Sequence, residues 1–245
     1  MESRDRSMNS PPSTTFAHSQ PGALFYALTG EALLHQAHGC RVLDLGCGSP
    51  QISQWIGQFC SDWTFTSQTD LQQIIGTGGR LPYSDNTFDL VYSLKTLPYL
   101  GRDEASSQQA IREILREAAR VVIPGGCVIV EIDNPYSLRG IIHGIRHPIT
   151  IVTEGHAVEE TAQSVHRYDS LTSLVHLSPN DLELVGLHGI RVVVPLTALL
   201  AFPLLGQLFA RMEWYCCDHT LLRRFAAHLL VIFRKLEQPL LAADK

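Results

Sequence analysis

The run Arg41-Val42-Leu43-Asp44-Leu45-Gly46-Cys47-Gly48 constrains the fold of this chain more than any other stretch. An apolar segment of strand length carries an acidic residue near its end and breaks into a glycine turn. Open α/β sheets make their ligand crevice in this way, at the carboxyl end of the first strand. Glycines at positions 46 and 48 permit a sharp turn and let the backbone approach a ligand with no Cβ between them. By itself such a turn is common; the order of the downstream segments gives it weight.

Beyond the turn, the hydrophobic pattern alternates between helix and strand. Phe16–Ala37 reads as a helix, with Leu24, Phe25, Leu28, Leu33 and Leu34 able to share a face. Val42–Leu45 is the first strand, Ile52–Phe59 the helix after the turn, and Trp63–Thr66 a short second strand with Asp70 just past it. Asp89–Ser93 reads as a buried strand. Ser106–Arg120 is amphipathic, with Ile111, Ile114, Leu115 and Ala118 on one side and charges opposite. The turn Pro124-Gly125-Gly126 launches a strand over Cys127–Ile132, and His228–Phe233 supplies a last one. Strands alternating with helices predict an α/β fold whose mostly parallel sheet has helices on both faces.

After Ile132 the character changes. Residues 133–177 read as irregular and hold five of the eleven histidines, His143, His147, His156, His166 and His176. Ser178–Leu187 has the start signals of a helix: Ser178 as N-cap, Pro179 at the first position and Asp181 in the first turn. Gly189 then leads into a strand over Ile190–Val194. Between Arg191 and Arg211 lies an uncharged apolar stretch, interrupted by Pro195, Pro203, Gly206 and Gln207. It reads as a strand and then an apolar cap helix lining an acceptor pocket or a dimer face, with at most peripheral membrane contact.

The chain has 245 residues and a net charge of −5. That length suits one domain, placed at residues 16–236 between tails at 1–15 and 237–245, with cap segments over 133–177 and 195–225. The acidic balance argues against a general nucleic-acid binder. Six cysteines without disulfide-scaffold spacing point to a reducing, cytoplasmic setting. Met1–Pro12 is polar and lacks the apolar stretch of a signal peptide, so a disordered tail is expected there. Cys216-Cys217-Asp218-His219 contains metal-ligand residue types, but adjacent cysteines converge poorly on one ion, and no metal site is expected.

Four stretches, taken in order, resemble the class I S-adenosylmethionine-dependent methyltransferases, especially the branch that modifies small molecules. They are Val42–Gly48, the run Arg80-Leu81-Pro82-Tyr83-Ser84-Asp85-Asn86-Thr87-Phe88-Asp89, the run Arg116–Gly126, and His228–Lys235. The resemblance covers Leu24–Lys235. It implies a Rossmann-like methyltransferase fold: a doubly wound, mostly parallel sheet of seven strands, with a helical and irregular cap over the crevice. It also implies S-adenosyl-L-methionine as cofactor. Two departures stand out. Pro50 replaces a usual third glycine, which stiffens the turn and removes a donor. The chain between Asp70 and Leu81 is too short for the usual helix plus strand.

On this resemblance, Asp44 and the backbone of Gly46, Cys47 and Gly48 would hold the methionine end of the cofactor. Asp70 would take the ribose hydroxyls, with Asp62 and Gln68 as nearby competitors and a helix cap as the alternative role. Thr77, where the family commonly has an aspartate that accepts from the adenine amine, would stand at the adenine, and Gly79, Leu81 and Ser93 complete the cofactor set. Tyr99, Tyr136 and Tyr168 would line the acceptor pocket. His143, His147 and His166 are candidate bases, with His156 beside them, while Lys95 reads as a solvated loop lysine. Methyl transfer from a sulfonium is an in-line displacement in which alignment supplies much of the rate, so a dedicated base is optional. The expected activity is methylation of an oxygen or nitrogen on a small, fairly apolar metabolite of natural-product type. A monomer or homodimer with no nucleic-acid partner would perform it. The alternatives are a non-catalytic cofactor-binding or scaffolding protein, or an enzyme of this fold that uses the sulfonium for other chemistry.

Overall fold

The computed structural model describes residues 23–76, 78–137, 140, 148–160, 165–194 and 203–237. In chain order it contains α1 (Ala23–Ala37), β1 (Arg41–Gly46), α2 (Pro50–Gly57), β2 (Asp62–Ser67), α3 (Gln68–Gly76), β3 (Phe88–Ser93), α4 (Glu104–Val121) and β4 (Val122–Asp133). Next come α5 (Pro148–Glu154), β5 (His156–Glu160), β6 (Val165–Asp169), α6 (Leu171–Leu177), β7 (Leu182–Ile190), α7 (Pro203–Cys216) and β8 (His228–Lys235).

Strands β2, β1, β3 and β4 lie side by side and parallel, and β8 then β7 continue the sheet antiparallel. Successive strand residues alternate between two apolar layers. Val42, Leu90, Ile129 and Leu230 pack with α1 and α2, whereas Leu43, Val91, Val128, Val130 and Val231 pack with α4. Helices thus cover both faces, as a doubly wound sheet requires. The amphipathic face of α4 is placed as its periodicity predicts: Ile111, Ile114, Leu115 and Ala118 are all buried. Its start lies two residues earlier than Ser106, at a capping box. Asp103 accepts from the Ser106 amide at 2.8 Å, and the Ser106 hydroxyl accepts from the Asp103 amide at 3.1 Å.

The sheet has eight strands rather than seven. Residues 133–177 are not irregular throughout, because β5 and β6 form an antiparallel hairpin joined to β4 at the pair Asp133–Tyr168. The helix expected over Ser178–Leu187 does not form. Ser178 is instead the C-cap of α6, with Pro179 just beyond it as a stop. Leu182–Ile190 is drawn into β7 by pairing along the whole of β8, from Leu182–Lys235 to Ile190–His228. The strand expected over Ile190–Val194 therefore ends where it was to begin. The missing length between Asp70 and Leu81 has its own consequence: no strand lies between α3 and β3, and β2 is left at the sheet edge. The tail at residues 1–15, the cap residues 195–202 and most of the tail at 237–245 lie outside the described residues.

Candidate functional site

The carboxyl ends of the parallel strands open onto a crevice of about 940 Å³. Its wall includes Gly48 of the glycine turn, Gln68 and Gln72 of α3, Lys95 and Tyr99 after β3, and Glu113 of α4. The turn is held open by backbone choices. Gly46 has φ +93° and Cys47 φ +39°, both in the left-handed region. A Cβ on Gly46 would collide with the Thr96 side chain, and one on Gly48 with the Leu94 carbonyl. The two glycines thus let the turn nest against the segment after β3. Pro50 sits in the first turn of α2, where an absent N–H is tolerated, so the departure from the family pattern fits the fold.

Asp44 lies beneath this turn and is 1% exposed. One carboxylate oxygen accepts from Ser53 Oγ at 2.5 Å and from the Tyr92 hydroxyl at 3.0 Å. Burial pushes its carboxyl up, while Ser53, Tyr92 and the Cys47 amide oppose that rise. Burial and the Asp44 charge raise the Tyr92 phenol, which keeps it a donor. Asp44 Oδ1 and Ser49 Oγ are buried without hydrogen-bond partners, one on each side of the turn. An orphaned acceptor and an orphaned hydroxyl at a helix start suit the ammonium and carboxylate of an amino-acid tail. The chemistry of these donors therefore fits the methionine end of S-adenosylmethionine.

The other residues expected to bind cofactor have framework partners. Asp70 Oδ2 accepts from Ser67 Oγ at 2.6 Å, and that oxygen accepts from the Asp70 amide at 3.1 Å. Ser67 thus caps α3, and Gln68 and Gln72 of that helix lie on the crevice wall. Ser93 is fully buried and donates to the Leu45 carbonyl at 2.8 Å, pinning β3 to β1. Gly79 donates its amide to the Ile74 carbonyl at 2.7 Å, closing the end of α3. Leu81 is buried, with its amide donating to Glu117 Oε2 at 2.8 Å. Thr77 lies outside the described residues. The two later motifs bind each other: Arg120 donates to Glu117, to Asp85 and to the carbonyls of Leu81 and Tyr83.

At the far end of β4 lies a constellation that sequence reasoning only half found. Asp133 accepts from His166 Nε2 and from His228 Nδ1, each at 2.6 Å. Burial pushes the Asp133 carboxyl up, but the two histidine hydrogen bonds outweigh burial and hold it well below the usual carboxylate range. Glu131, fully buried one turn of the pleat away, is raised chiefly by burial, with the charges of His228 and Lys95 opposing. The His166 ring lies between two tyrosines: stacked on Tyr99 at 4.9 Å and tilted against Tyr168 at 4.4 Å. Tyr99 and Val165 are on the crevice wall, so the assembly adjoins the cavity through Tyr99.

Of the candidate bases, then, the structure stacks His166 on Tyr99 of the crevice wall; His143 and His147 lie outside the described residues. His156 is occupied at the start of β5, 2.8 Å from Glu104 and 3.4 Å from Glu154. Tyr136 is partly exposed and donates to the Ile151 carbonyl at 3.2 Å, apart from the His166 stack. Lys95 is exposed at the wall, its Nζ 5.0 Å above the Tyr26 ring. Sequence reasoning missed Asp133 and His228. Asp133 had a signal, an acidic residue closing a parallel strand as Asp44 does; His228 had none.

Two clusters among the described residues bring metal-ligand atoms together, Glu104–Glu154–His156 and His188–Cys217–Asp218. In the second, burial pushes the Cys217 thiol up to about 12, and it donates to the Trp214 carbonyl at 3.1 Å. A protonated thiol is a poor ligand.

Residues 43–130 match the family model described as a methyltransferase domain. Among solved structures, the chain is similar to an S-adenosylmethionine-dependent methyltransferase of Thermotoga maritima described as a possible histamine N-methyltransferase. Identity is 14%, coverage 87% of this chain and 92% of that one, and the TM-score 0.51. An S-adenosylmethionine-dependent methyltransferase of Mesorhizobium loti is 15% identical over 89% and 100% of the two chains, with a TM-score of 0.47. One from Methanosarcina mazei is 12% identical over 84% and 98%, with a TM-score of 0.49. No curated protein matches the chain.

Proposed function

We propose that this chain, a class I S-adenosylmethionine-dependent methyltransferase, methylates an oxygen or nitrogen of a small, fairly apolar metabolite, with His166 taking the acceptor's proton. The bound cofactor supplies an electrophilic methyl group carried on a positively charged sulfur. The chain's own residues must align the acceptor, exclude water and, for a hydroxyl acceptor, receive a proton. The bond to ionised Asp133 places the proton of neutral His166 on Nε2, which leaves Nδ1 as the basic atom. Asp133 then stabilises the imidazolium and fixes the ring, the same division of labour that serves a hydrolytic triad. Tyr168 backs the ring from the buried side and Tyr99 offers flat apolar surface at the wall, which favours an aromatic or polycyclic acceptor over a sugar. All six cysteines are free, which suits the reducing interior of a cell.

The observation that carries this reading is the His166–Asp133 pair beneath Tyr99 at the crevice wall. Its test is methyl transfer from labelled S-adenosylmethionine to a panel of phenols, hydroxyquinones and aromatic amines, with isothermal titration of the cofactor alongside. Methylated product that disappears in His166→Asn, with cofactor binding retained, supports the assignment. Transfer to proteins or nucleic acids only, or full activity in His166→Asn, refutes it.

A further inference from the structure

Helix α7 presents to solvent the kind of face that helices normally bury. Leu208, Met212 and Tyr215, spaced four and three residues apart, fall on one side and are all exposed, Tyr215 to 72%. The patch does not stop at the end of the helix. The Tyr215 ring lies 6.0 Å from His219, whose Nδ1 accepts from the amides of Leu221 and Leu222, each at 3.4 Å. Leu221 and Phe225 then stand out at 65% and 58% exposed. Scattered apolar side chains on a surface mean little, but a contiguous strip of this kind marks a contact.

The charges around the strip say what it meets. Glu213, the acid within α7, is turned inward and fully buried, accepting from the amides of Val192, Val193 and Val194. Asp218 is held by His188 at 2.7 Å. Arg211 and Arg224 remain exposed on the strip, and neither forms an ion pair among the described residues. A chain with net charge −5 thus sets two exposed arginines beside one exposed acid, Asp218, where its apolar side chains protrude. Apolar anchors ringed by arginine, with Trp214 and Tyr215 at the rim, match the layering of a bilayer surface with anionic headgroups. With 14 residues, α7 falls short of the roughly 20 needed to span, and no described helix is long and apolar enough to cross a membrane.

We propose that α7 and the turn through Phe225 form a docking face for an anionic bilayer surface. The face adjoins the acceptor side of the crevice, because the Asn134 side-chain amide, one residue beyond Asp133, donates to the carbonyls of Arg224 and Ala226 at 2.8 Å each. It is independent of which acceptor is methylated.

The test is flotation of the full chain with phosphatidylcholine vesicles and with vesicles that also contain phosphatidylserine. Binding should be much stronger to the second and should fall as salt is raised. Arg211→Ser with Arg224→Ser should weaken binding to anionic vesicles by about 30-fold. Leu208→Glu with Tyr215→Glu should abolish it while cofactor titration and thermal midpoint stay unchanged. Failure to float with either vesicle overturns the proposal. So does a dimer in solution that Leu208→Glu converts to monomer, since a second copy would then cover the strip.

Discussion

Replacing Arg120 with methionine removes in one step the cation that ties the loop before β3 to α4. The guanidinium donates to Glu117 at 2.9 and 2.7 Å, to Asp85 at 2.7 Å, and to the carbonyls of Tyr83 and Leu81 at 2.8 and 3.1 Å. Methionine keeps most of the stem, so the change is one of charge and donors more than volume. The Arg120 and Glu117 side chains are 14% and 10% exposed, and breaking a pair so nearly buried costs about 3–5 kcal/mol. The Leu81 amide still donates to Glu117, which places the loss near the lower end, about 3 kcal/mol. With a urea slope on the order of 3 kcal/mol per molar, the unfolding midpoint should fall by about 1 M.

The pH dependence sharpens this test. Burial pushes the Glu117 carboxyl up, yet Arg120 and the Leu81 amide outweigh it, and the net shift is downward. A carboxyl depressed in the folded state contributes stability that is present above its unfolded pKa and lost as pH falls through the folded value. In Arg120→Met the burial remains while the Leu81 amide and Arg80 alone oppose it, so the Glu117 pKa moves up and the stability lost on acidification is smaller. The midpoint gap between the variant and the intact chain should therefore narrow from about pH 7 to about pH 4. A loss under about 1 kcal/mol at neutral pH, or a gap that widens on acidification, would refute the reasoning.

Three more outcomes concern the site itself. Gly46→Ala forces a side chain into φ +93° against Thr96 and should cost about 2–4 kcal/mol in urea unfolding, of which Thr96→Gly recovers only the steric share. Ser49→Ala removes a buried hydroxyl with no partner, so the thermal midpoint of the free protein should hold or rise; calorimetric affinity for S-adenosylmethionine should nonetheless drop about tenfold. Asp133→Asn and His166→Asn should each lower kcat by roughly 10²–10³-fold, and together by little more, because both act through one proton acceptor. Additive losses in that double variant would mean that the two residues work separately.

What could be read from the residues in advance was whatever local periodicity decides. The first strand and turn, the apolar face of α4 and the strand over Cys127–Ile132 need only neighbours within a few positions. Leu182–Ile190 shows the limit. Ser178 and Pro179 can open a helix or close one, and only a partner strand beginning at His228 decides between them. The proposed acceptor site is remoter still, since Asp133 meets His166 across 33 residues and His228 across 95.

The same contrast explains why the recognisable motifs identify the cofactor better than the acceptor. Leu81, Asp85, Glu117 and Arg120 carry much of the family likeness, yet their side chains and amides are spent on one another. They tie the loop before β3 to α4 and leave few groups over for an acceptor. Asp44 shares the pattern: one oxygen anchors Ser53 and Tyr92 while the other is left over for a ligand. On the proposed reading, acceptor choice rests instead on Tyr99 and the β5–β6 hairpin, which among the described residues pairs with β4 at Asp133–Tyr168. The hairpin lies to the side of the β2-β1-β3-β4 pairing, so its side chains can change while that pairing stays. Tyr99, His166 and Tyr168 are therefore where substitutions should alter the acceptor while cofactor affinity is kept.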